Sequence, residues 1–328
     1  MSHPRDVKQI LVTGGAGFIG SAFVRYLLET ESQVNKVVNL DRLTYAGNLK
    51  NLSSIESDPR HVFVQGDILN GTLVEELVRT HEIDTIIHFA AESHVDTSIA
   101  NPRLFYRTNV EGTLSLLEVV RRFRHIHFHH VSTDEVYGSI TEGEFSEDSP
   151  YRPNSPYAAS KAASDHFVRA YAHTYGLIVT LSHSSNNYGP YQYREKFVPK
   201  MIEGCLARRE LPVYGKGINV RDWLFVEDHV RALWIIVQKG EKGESYNIGS
   251  KCELKNIDLL QLLIERVAKI KGVNPKKYTD LITYVKDRPG HDLRYSLNCQ
   301  KLEKELGWSP SQPIEEGIDK TIAWCLHV

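Results

Sequence analysis

A glycine-rich turn near the start of the chain constrains the fold more than any other feature. Residues 10–20 read ILVTGGAGFIG, which predicts a buried strand, a turn and then a helix. Gly14, Gly17 and Gly20 would permit a tight turn, a close approach of the backbone to a pyrophosphate, and close helix–strand packing. Because the first amides of a helix are free to bind phosphate, this segment predicts a dinucleotide site.

The first half of the chain alternates short apolar runs with amphipathic segments. We predict strands at Gln9–Thr13, Lys36–Leu40, His61–Val64, Thr85–Phe89 and Ile126–Val131. We predict helices at Ser21–Thr30, Leu73–Thr80 and Arg103–Arg122. This alternation is typical of βαβ units, so we expect an α/β fold with a doubly wound parallel sheet of Rossmann type. The ligand should lie at the carboxyl ends of the strands.

The pattern becomes irregular after about Ser185, where proline and glycine recur. Further helices are predicted near Val226–Lys239, Ile257–Lys271 and Ile314–Leu326. We therefore predict a dinucleotide-binding domain over residues 1–185 and a smaller C-terminal mixed α/β substrate domain over residues 186–328. Later segments, about 220–245, should return to the first domain.

The second predicted strand leads into Asp41, followed by Arg42. A carboxylate there can accept hydrogen bonds from an adenosine ribose and would repel a 2′-phosphate, which favours NAD over NADP. Arg42 weakens this argument because an arginine can accommodate that phosphate. NAD is the cofactor we expect.

Composition excludes several other classes of function. The 328 residues carry a formal net charge of −2, which gives no general reason to expect nucleic-acid or membrane binding. The four cysteines are far apart, as is typical of reduced thiols rather than of a zinc or redox pair. The chain has no apolar run of the roughly 20 residues that a membrane helix needs. We expect a cytoplasmic protein.

A second group of residues indicates proton and hydride chemistry. The fifth strand leads into Thr133, Asp134 and Glu135, and Tyr157 and Lys161 follow with helical spacing. A tyrosine and a lysine four residues apart share one helix face. We expect the charge of Lys161 to lower the pKa of Tyr157, so that the phenolate can take a proton from a sugar hydroxyl while a hydride leaves the same carbon.

Several motifs together resemble a known family. VTGGAGFIGS, STDEVYG and YAASK resemble the extended short-chain dehydrogenase/reductase family. The resemblance narrows to its nucleotide-sugar 4,6-dehydratases through seven segments: LDRLTYAGN (40–48), FAAESHVD (89–96), STDEVYG (132–138), SNNYGPYQ (185–192), REKFVP (194–199), RDWLFVEDH (221–229) and DRPGHDLRY (287–295). It implies dehydration of dTDP-glucose to the 4-keto-6-deoxy sugar, and a homodimer formed through helices of the first domain.

The resemblance also implies roles for the catalytic residues. Tyr157, supported by Lys161, is the expected base for C4 oxidation, and Thr133 is expected to hydrogen-bond the sugar near O4. Glu135 is expected to remove the C5 proton while Asp134 protonates the departing C6 hydroxyl. Two neighbouring carboxyls with separated pKa values suit this task. The residues by themselves do not decide which carboxyl is the acid.

The remaining site residues are carried over from matching motif positions. The cofactor is expected to contact Gly14, Gly17, Phe18, Ile19, Gly20, Asp41, Arg42, Leu43, Thr44, Asp67, Ile68, Ala90, Ala91, Ser93, Thr108, Tyr157, Lys161 and Asn187. The nucleotide sugar is expected to contact Ser93, Thr133, Asn186, Lys196, Phe197, Pro212, Val213, Tyr214, Arg221, Asn256, Asp287, Arg288 and His291. A guanidinium can pair bidentately with phosphate oxygens, so Arg221 is the expected diphosphate ligand.

Several alternatives stay open. Thr97 and the pair His183-Ser184 depart from the family pattern, which leaves substrate packing less defined. The histidine-rich run 125–130 invites a metal site, although the proposed chemistry needs none and we predict none. The substrate could be UDP-glucose, since a methyl group alone separates thymine from uracil. A 4-epimerase, a decarboxylase or a non-catalytic NAD sensor could share this scaffold, but the acid pair at 134–135 disfavours them.

Overall fold

The computed structural model describes residues 4–327. Its strands are β1 (Gln9–Thr13), β2 (Lys36–Asp41), β3 (His61–Gln65), β4 (Thr85–His88), β5 (His127–Thr133), β6 (Ile178–Ser184), β7 (Asn186–Tyr188), β8 (Leu211–Tyr214), β9 (Val220–Phe225), β10 (Ser245–Ile248), β11 (Glu253–Lys255) and β12 (Ile282–Val285). Its helices are α1 (Phe18–Thr30), α2 (Gly71–Thr80), α3 (Val95–Ala100), α4 (Pro102–Phe105), α5 (Gly112–Arg122), α6 (Pro156–Tyr175), α7 (Phe197–Ala207), α8 (Val226–Lys239), α9 (Asn256–Lys271), α10 (Lys276–Thr279), α11 (Gln300–Leu306) and α12 (Ile314–His327).

The central element is a seven-stranded sheet in the order β10-β6-β5-β4-β1-β2-β3, parallel throughout. The strand order reverses between β1 and β4, which places a crevice at the carboxyl ends of these strands. Helices α1 and α8 pack on one face, and α2, α5 and α6 pack on the other. The predicted doubly wound parallel sheet is confirmed.

The second half of the chain builds two small sheets, β11-β9-β7 and β12-β8. They pack with α7, α9 and α12 around a separate apolar core that includes Ile202, Leu263 and Ile318. Helix α8 and strand β10 belong instead to the large sheet and its covering layer. Within residues 4–327, every helix falls short of the length and apolar character needed to cross a bilayer.

The predicted helix Arg103–Arg122 is not continuous. A π-helical segment, Tyr106–Glu111, separates α4 from α5. Within it, the Asn109 side chain accepts a hydrogen bond from Glu92 N at 2.8 Å and donates to Ser160 Oγ at 2.9 Å. These bonds connect the π-helical segment to the loop after β4 and to α6. A helical hydrophobic period cannot reveal such a π-bulge, which adds one residue to a turn.

Substitution of Gly14 should be far more destabilising than substitution of a glycine with the same backbone conformation in open space. Gly14 has φ +74°, and an added Cβ would lie 2.6 Å from Ala90 N. Gly143 has φ +79° with open space around it. We expect Gly143→Ala to lower the free energy of unfolding by about 1–2 kcal/mol, and Gly14→Ala by at least about 3 kcal/mol.

Urea unfolding of both variants measures this difference. Equal losses in the two variants would contradict the importance of the Gly14–Ala90 approach.

Candidate active site

One large cavity, called here the main cavity, opens along the carboxyl ends of the central strands. It brings together most of the residues predicted for the cofactor: Gly14, Gly17, Phe18, Ile19, Gly20, Asp41, Arg42, Thr44, Asp67, Ile68, Ala90, Ala91, Ser93, Thr108, Tyr157, Lys161 and Asn187. Thr133, Asp134, Glu135, Asn186 and Lys196 line the same cavity. The predicted dinucleotide site and the predicted catalytic group therefore share one space.

The glycine turn is shaped to receive a phosphate. Gly14 N donates to Leu40 O at 2.9 Å, and Gly17 N donates to Gly14 O at 3.2 Å, which closes the turn. Helix α1 begins at Phe18 without a side-chain cap on its first amides. Free amides and the positive end of the helix dipole thus face the main cavity, as an anionic pyrophosphate requires.

Asp41 stands at the end of β2 with its carboxylate fixed by backbone amides. Its Oδ2 accepts from Ala16 N at 2.9 Å, and its Oδ1 accepts from Leu43 N at 2.8 Å. A carboxylate has further lone pairs, so it can still accept hydrogen bonds from a ribose. Arg42 forms an ion pair with Asp67 at 3.2 Å. This pairing reduces its availability to a 2′-phosphate and favours an unphosphorylated ribose.

The acid pair lies where β5 ends. Thr133 Oγ1 accepts from Glu135 N and donates to Asp134 Oδ1, both at 3.3 Å. A 3₁₀ turn over Asp134–Tyr137 follows and directs both carboxyls toward the cavity. Asp134 is buried, and its Oδ2 has no hydrogen-bond partner among the described residues. An unpartnered buried carboxyl oxygen favours the protonated acid.

The two carboxyls stand in different electrostatic surroundings. Burial and the neighbouring charge of Glu135 raise the pKa of Asp134 well above its ordinary value. Burial also raises the pKa of Glu135, but Arg221, Arg288 and then Lys196 oppose this shift. Three cations oppose the rise at Glu135, whereas at Asp134 the charges of Glu135 and Asp222 act against Arg221, so a shared proton is favoured on Asp134. The environments separate an acid from a base.

Tyr157 and Lys161 lie on the first turns of α6, which Ser155 caps by accepting from Ala158 N at 3.1 Å. The Lys161 ammonium donates to Val131 O at 2.9 Å. Burial raises the pKa of Tyr157, the charge of Glu135 raises it further, and a hydrogen bond from Thr133 opposes both.

In the polypeptide by itself the pKa of Tyr157 is thus raised, whereas the sequence predicted a lowering by Lys161; the contribution of Lys161 stays a prediction. The phenol lies close to the acid pair, and the ammonium of Lys161 is held at the Val131 carbonyl. Burial is the largest cause of the raised pKa of Tyr157, and the negative charge of Glu135 adds to it.

A smaller side cavity adjoins the main one, and Glu135 and Asn186 line both. Arg221, Arg288 and His291 line the side cavity, as predicted for the substrate. Arg221 donates to Val220 O and Asp292 O, both at 2.8 Å, and its guanidinium stacks 4.2 Å from the Tyr295 ring centre. These partners orient the guanidinium without neutralising its charge. The side cavity thus presents two arginines to an anion.

Some predicted contacts lie outside both cavities: Leu43, Phe197, Pro212, Val213, Tyr214, Asn256 and Asp287. Phe197 and Val213 pack into the apolar core of the second half of the chain. Asp287 instead bonds to His291 Nδ1 at 2.6 Å. These contacts stay predictions.

Other residues line the main cavity although sequence reasoning did not single them out. They include Tyr45, Ala46, Gly47, Glu92, Ser185, Gln192, Tyr193 and Glu195. Most fall inside the motifs quoted for the resemblance, for example Glu92 in FAAESHVD and Glu195 in REKFVP. Membership of these motifs was the signal that could have found them.

The histidine-rich strand β5 is part of the packed interior. His127 and His129 both meet Thr180 Oγ1 at 2.8 Å, and His129 also meets Ser182 Oγ at 3.1 Å. Burial lowers the pKa of His127 to about 3. These neutral rings bridge β5 to β6. No cluster of three or more metal-binding side chains occurs in the part of the chain that the structure describes.

The fold and the cluster of Thr133, Tyr157 and Lys161 at the mouth of a dinucleotide crevice define an enzyme of the extended short-chain dehydrogenase/reductase class. The neighbouring acid pair narrows this class to dehydratases.

Comparison with known proteins agrees with the assignment to dehydratases. The model of the family described as GDP-mannose 4,6 dehydratase matches residues 11–321. The dTDP-glucose 4,6-dehydratase of Haemophilus influenzae is 48% identical over 98% of each chain, and that of Xanthomonas campestris is 52% identical over 96% of this chain and 92% of the relative. The solved dTDP-glucose 4,6-dehydratase of Streptomyces venezuelae with NAD bound is 46% identical, covers 97% of both chains and has a TM-score of 0.91. The chain belongs to the dTDP-glucose 4,6-dehydratase family.

Replacement of Asp134 by asparagine should stabilise the chain at higher pH. The pKa of Asp134 is raised in the folded state, so the unfolded chain loses this proton at a lower pH than the folded chain. Wild-type stability therefore falls as the pH rises from the ordinary aspartate value to the raised folded value, whereas asparagine stays neutral.

We expect Asp134→Asn to be more stable than wild type by at least about 1 kcal/mol at about pH 8, relative to the difference at about pH 4. Urea unfolding at the two pH values measures this. A stability difference that does not change with pH would contradict the raised pKa.

Proposed function

We propose that this chain catalyses the NAD-dependent removal of water from dTDP-glucose, giving dTDP-4-keto-6-deoxyglucose. The observation that carries the proposal is the pair Asp134 and Glu135, which faces the same cavity as Tyr157 and Lys161. An oxidoreductase that only moves a hydride needs the tyrosine and lysine; elimination of water also needs an acid and a base. The relatives named dTDP-glucose 4,6-dehydratase support this assignment.

The main cavity fits NAD on observations of this chain. An added Cβ on Gly14 would collide with the backbone of Ala90, so the turn that would receive the pyrophosphate can form only with glycine at this position. The uncapped amides of α1 would bind the pyrophosphate, and Asp41 would accept from the adenosine ribose. Bound NAD would supply a hydride acceptor for C4 and later a hydride donor for C6, and its positive ring would stabilise a nearby phenolate.

In the first step, Tyr157 takes the proton of the C4 hydroxyl as the C4 hydride leaves. Thr133 hydrogen-bonds the phenol of Tyr157 and lines the same cavity, so its hydroxyl would orient O4 of the sugar. Lys161 is held at the Val131 carbonyl and lines the cavity, so its ammonium would bind the nicotinamide ribose of the bound cofactor. The product of this step is a 4-ketone, which makes the C5 hydrogen acidic.

In the second step, Glu135 removes the C5 proton and Asp134 protonates the departing C6 hydroxyl. The C6 oxygen leaves as water, and a double bond forms between C5 and C6. Hydride then returns to C6 and a proton returns to C5, so the cofactor undergoes no net change. The cations near Glu135 and the unpartnered, protonated Asp134 support this order of roles.

The side cavity suits the diphosphate. Arg221 is buried, and carbonyl oxygens orient it, so it would pair with phosphate oxygens at little entropic cost. Arg288 faces the same cavity. We infer that residues 1–185 form the cofactor-binding half together with α8 and β10, which are the returning part of the segment predicted at about 220–245. The rest of residues 186–328, including β9 with Arg221, supplies the contacts to the nucleotide.

UDP-glucose is the alternative substrate for the same chemistry. A single methyl group separates the two bases, and a contact of that size discriminates by about 1–3 kcal/mol. The dTDP-glucose preference therefore rests on the named relatives. A 4-epimerase or decarboxylase is disfavoured because neither reaction has a use for the acid pair.

Purified protein should remove one water from dTDP-glucose, as product mass will show. Tyr157→Phe should abolish turnover because C4 cannot lose its hydroxyl proton. Glu135→Gln should slow product formation by about 10²–10⁴-fold while still allowing oxidation at C4, since only the second step needs this base. Absorbance of reduced cofactor in a single turnover separates the two steps.

The exposed Tyr284→Phe is the matched control and should leave turnover unchanged. UDP-glucose should be run in parallel. Loss of water only from UDP-glucose would overturn the substrate and keep the mechanism. An unchanged mass with both sugars would refute the dehydratase proposal.

We also infer a homodimer formed through helices of the cofactor-binding half. Ile99, Tyr106 and Phe167 are exposed on α3, on the π-helical segment and on α6, which pack together. Large apolar side chains exposed on neighbouring helices are what a subunit interface would cover. The four cysteines are all free thiols, which supports a location in the reducing cytoplasm. Sedimentation of the purified chain tests the dimer.

A further inference from the structure

A buried polar cluster lies behind Lys161, on the side away from the main cavity. It consists of His130, Tyr151, Asp165 and His183, and is called here the Asp165 network. Asp165 follows Lys161 by four residues on α6, so it lies one helical turn further along on the same side. Lys161, His130, Asp165 and His183 are all buried. The mechanism above gives this cluster no task.

Asp165 is held from two strands and one loop. Its Oδ2 accepts from Ser132 Oγ at 2.9 Å and from Tyr151 OH at 3.0 Å, and it meets His183 Nε2 at 3.1 Å. Its Oδ1 lies 3.2 Å from His130 Nε2. Burial would by itself raise the pKa of Asp165, but the imidazoles of His130 and His183 hold it well below its ordinary value. Asp165 is thus a buried anion.

His130 connects this anion to the lysine. Its Nε2 lies 3.4 Å from Lys161 Nζ as well as 3.2 Å from Asp165. Burial lowers the pKa of His130 to about 4, so the ring is neutral near pH 7. The ring therefore spaces Asp165 from Lys161 without neutralising either.

The other groups near Lys161 do not replace this charge. His88, from β4, is neutral because burial, together with His130 and Lys161, keeps its pKa well below the ordinary value. The Val131 carbonyl accepts from the ammonium but carries no net charge. Beyond Asp165, Arg169 approaches Tyr151 OH at 3.5 Å, and Tyr137 OH meets His183 Nδ1 at 3.2 Å.

We propose that Asp165 is a positioning residue for Lys161, a buried anion that keeps the lysine ammonium charged and fixed at the Val131 carbonyl. The inference rests on the proposed function, because it concerns the cation that supports the catalytic tyrosine. A fully buried lysine without an anion loses its proton readily. Burial lowers the pKa of Lys161 to about 8, and Asp165 is the charge that opposes a further fall.

The network also accounts for two sequence features that the mechanism leaves unused. One histidine of the run 125–130, His130, faces the lysine and the aspartate. His183, a departure from the family pattern, contacts Asp165 and meets Tyr137 and Tyr151 through its two ring nitrogens. His183 therefore helps to fix the buried carboxylate, and His130 lies between that carboxylate and the lysine.

The test is the pH dependence of kcat for the NAD-loaded enzyme with dTDP-glucose. Asp165→Asn keeps the shape of the side chain and removes the charge, so Lys161 should lose its proton at lower pH. The basic limb of the profile should move down by about one pH unit or more. Asp165→Glu keeps the negative charge, so its basic limb should lie close to that of the wild type. The control Tyr151→Phe removes one hydrogen bond to the same carboxylate and should leave the basic limb in place.

A folded, active Asp165→Asn enzyme with an unmoved basic limb would overturn the inference and leave the dehydratase function standing. Absence of turnover in the wild type would instead overturn the function. If Asp165→Asn does not fold, the charge of Lys161 can be measured by NMR of wild-type holoenzyme with labelled lysine. The signal that disappears in Lys161→Arg is that of Lys161. A Lys161 signal that is charged at pH 7 supports the inference, and one that is neutral there overturns it.

Discussion

The close approach of two strand ends is the constraint on which the rest of the structure depends. Gly14, after β1, lies against the backbone of Ala90, after β4, at the point where the strand order reverses. This contact leaves no room for a side chain, opens the crevice beside it and points the amides of α1 into that crevice. Since β5 lies next to β4, the same edge of the sheet delivers Thr133 and the acid pair to the crevice. The position of the site is therefore set by the strand order together with the glycine at position 14.

Chemistry in this crevice depends on differences of charge between neighbours. Asp134 is buried beside a second carboxyl and keeps its proton, while Glu135 faces the cations of the side cavity. Lys161, which we propose supports Tyr157, has a buried anion one helical turn away. The large sheet supplies rigid positions for these groups, and the second half of the chain supplies the positive charge. A single fold thereby places an acid, a base and a hydride-transfer site within one cavity.

The sequence predicted the fold well because its signals are local and periodic. The five predicted strands of the first half match β1 to β5 to within two residues at each end, and the predicted helix Val226–Lys239 has the bounds of α8. The motifs also identified most of the residues expected at the cofactor, which line the main cavity. The π-helical segment around Asn109 was missed, since it depends on hydrogen bonds to Glu92 and Ser160 that are distant in sequence. The pKa predicted for Tyr157 did not include burial or the charge of Glu135, because both depend on the tertiary structure. The Asp165 network joins two strands, a loop and a helix, so no sequence window contains it.

The most direct test of the central claim follows the hydrogen on C4. Dehydration by internal oxidation and reduction predicts that dTDP-glucose carrying deuterium at C4 yields a product with that deuterium at C6, without added reduced cofactor. NMR of the product locates the label. Deuterium retained at C4, or lost to solvent, would contradict the account, because hydride would then not pass from C4 to C6 within one active site.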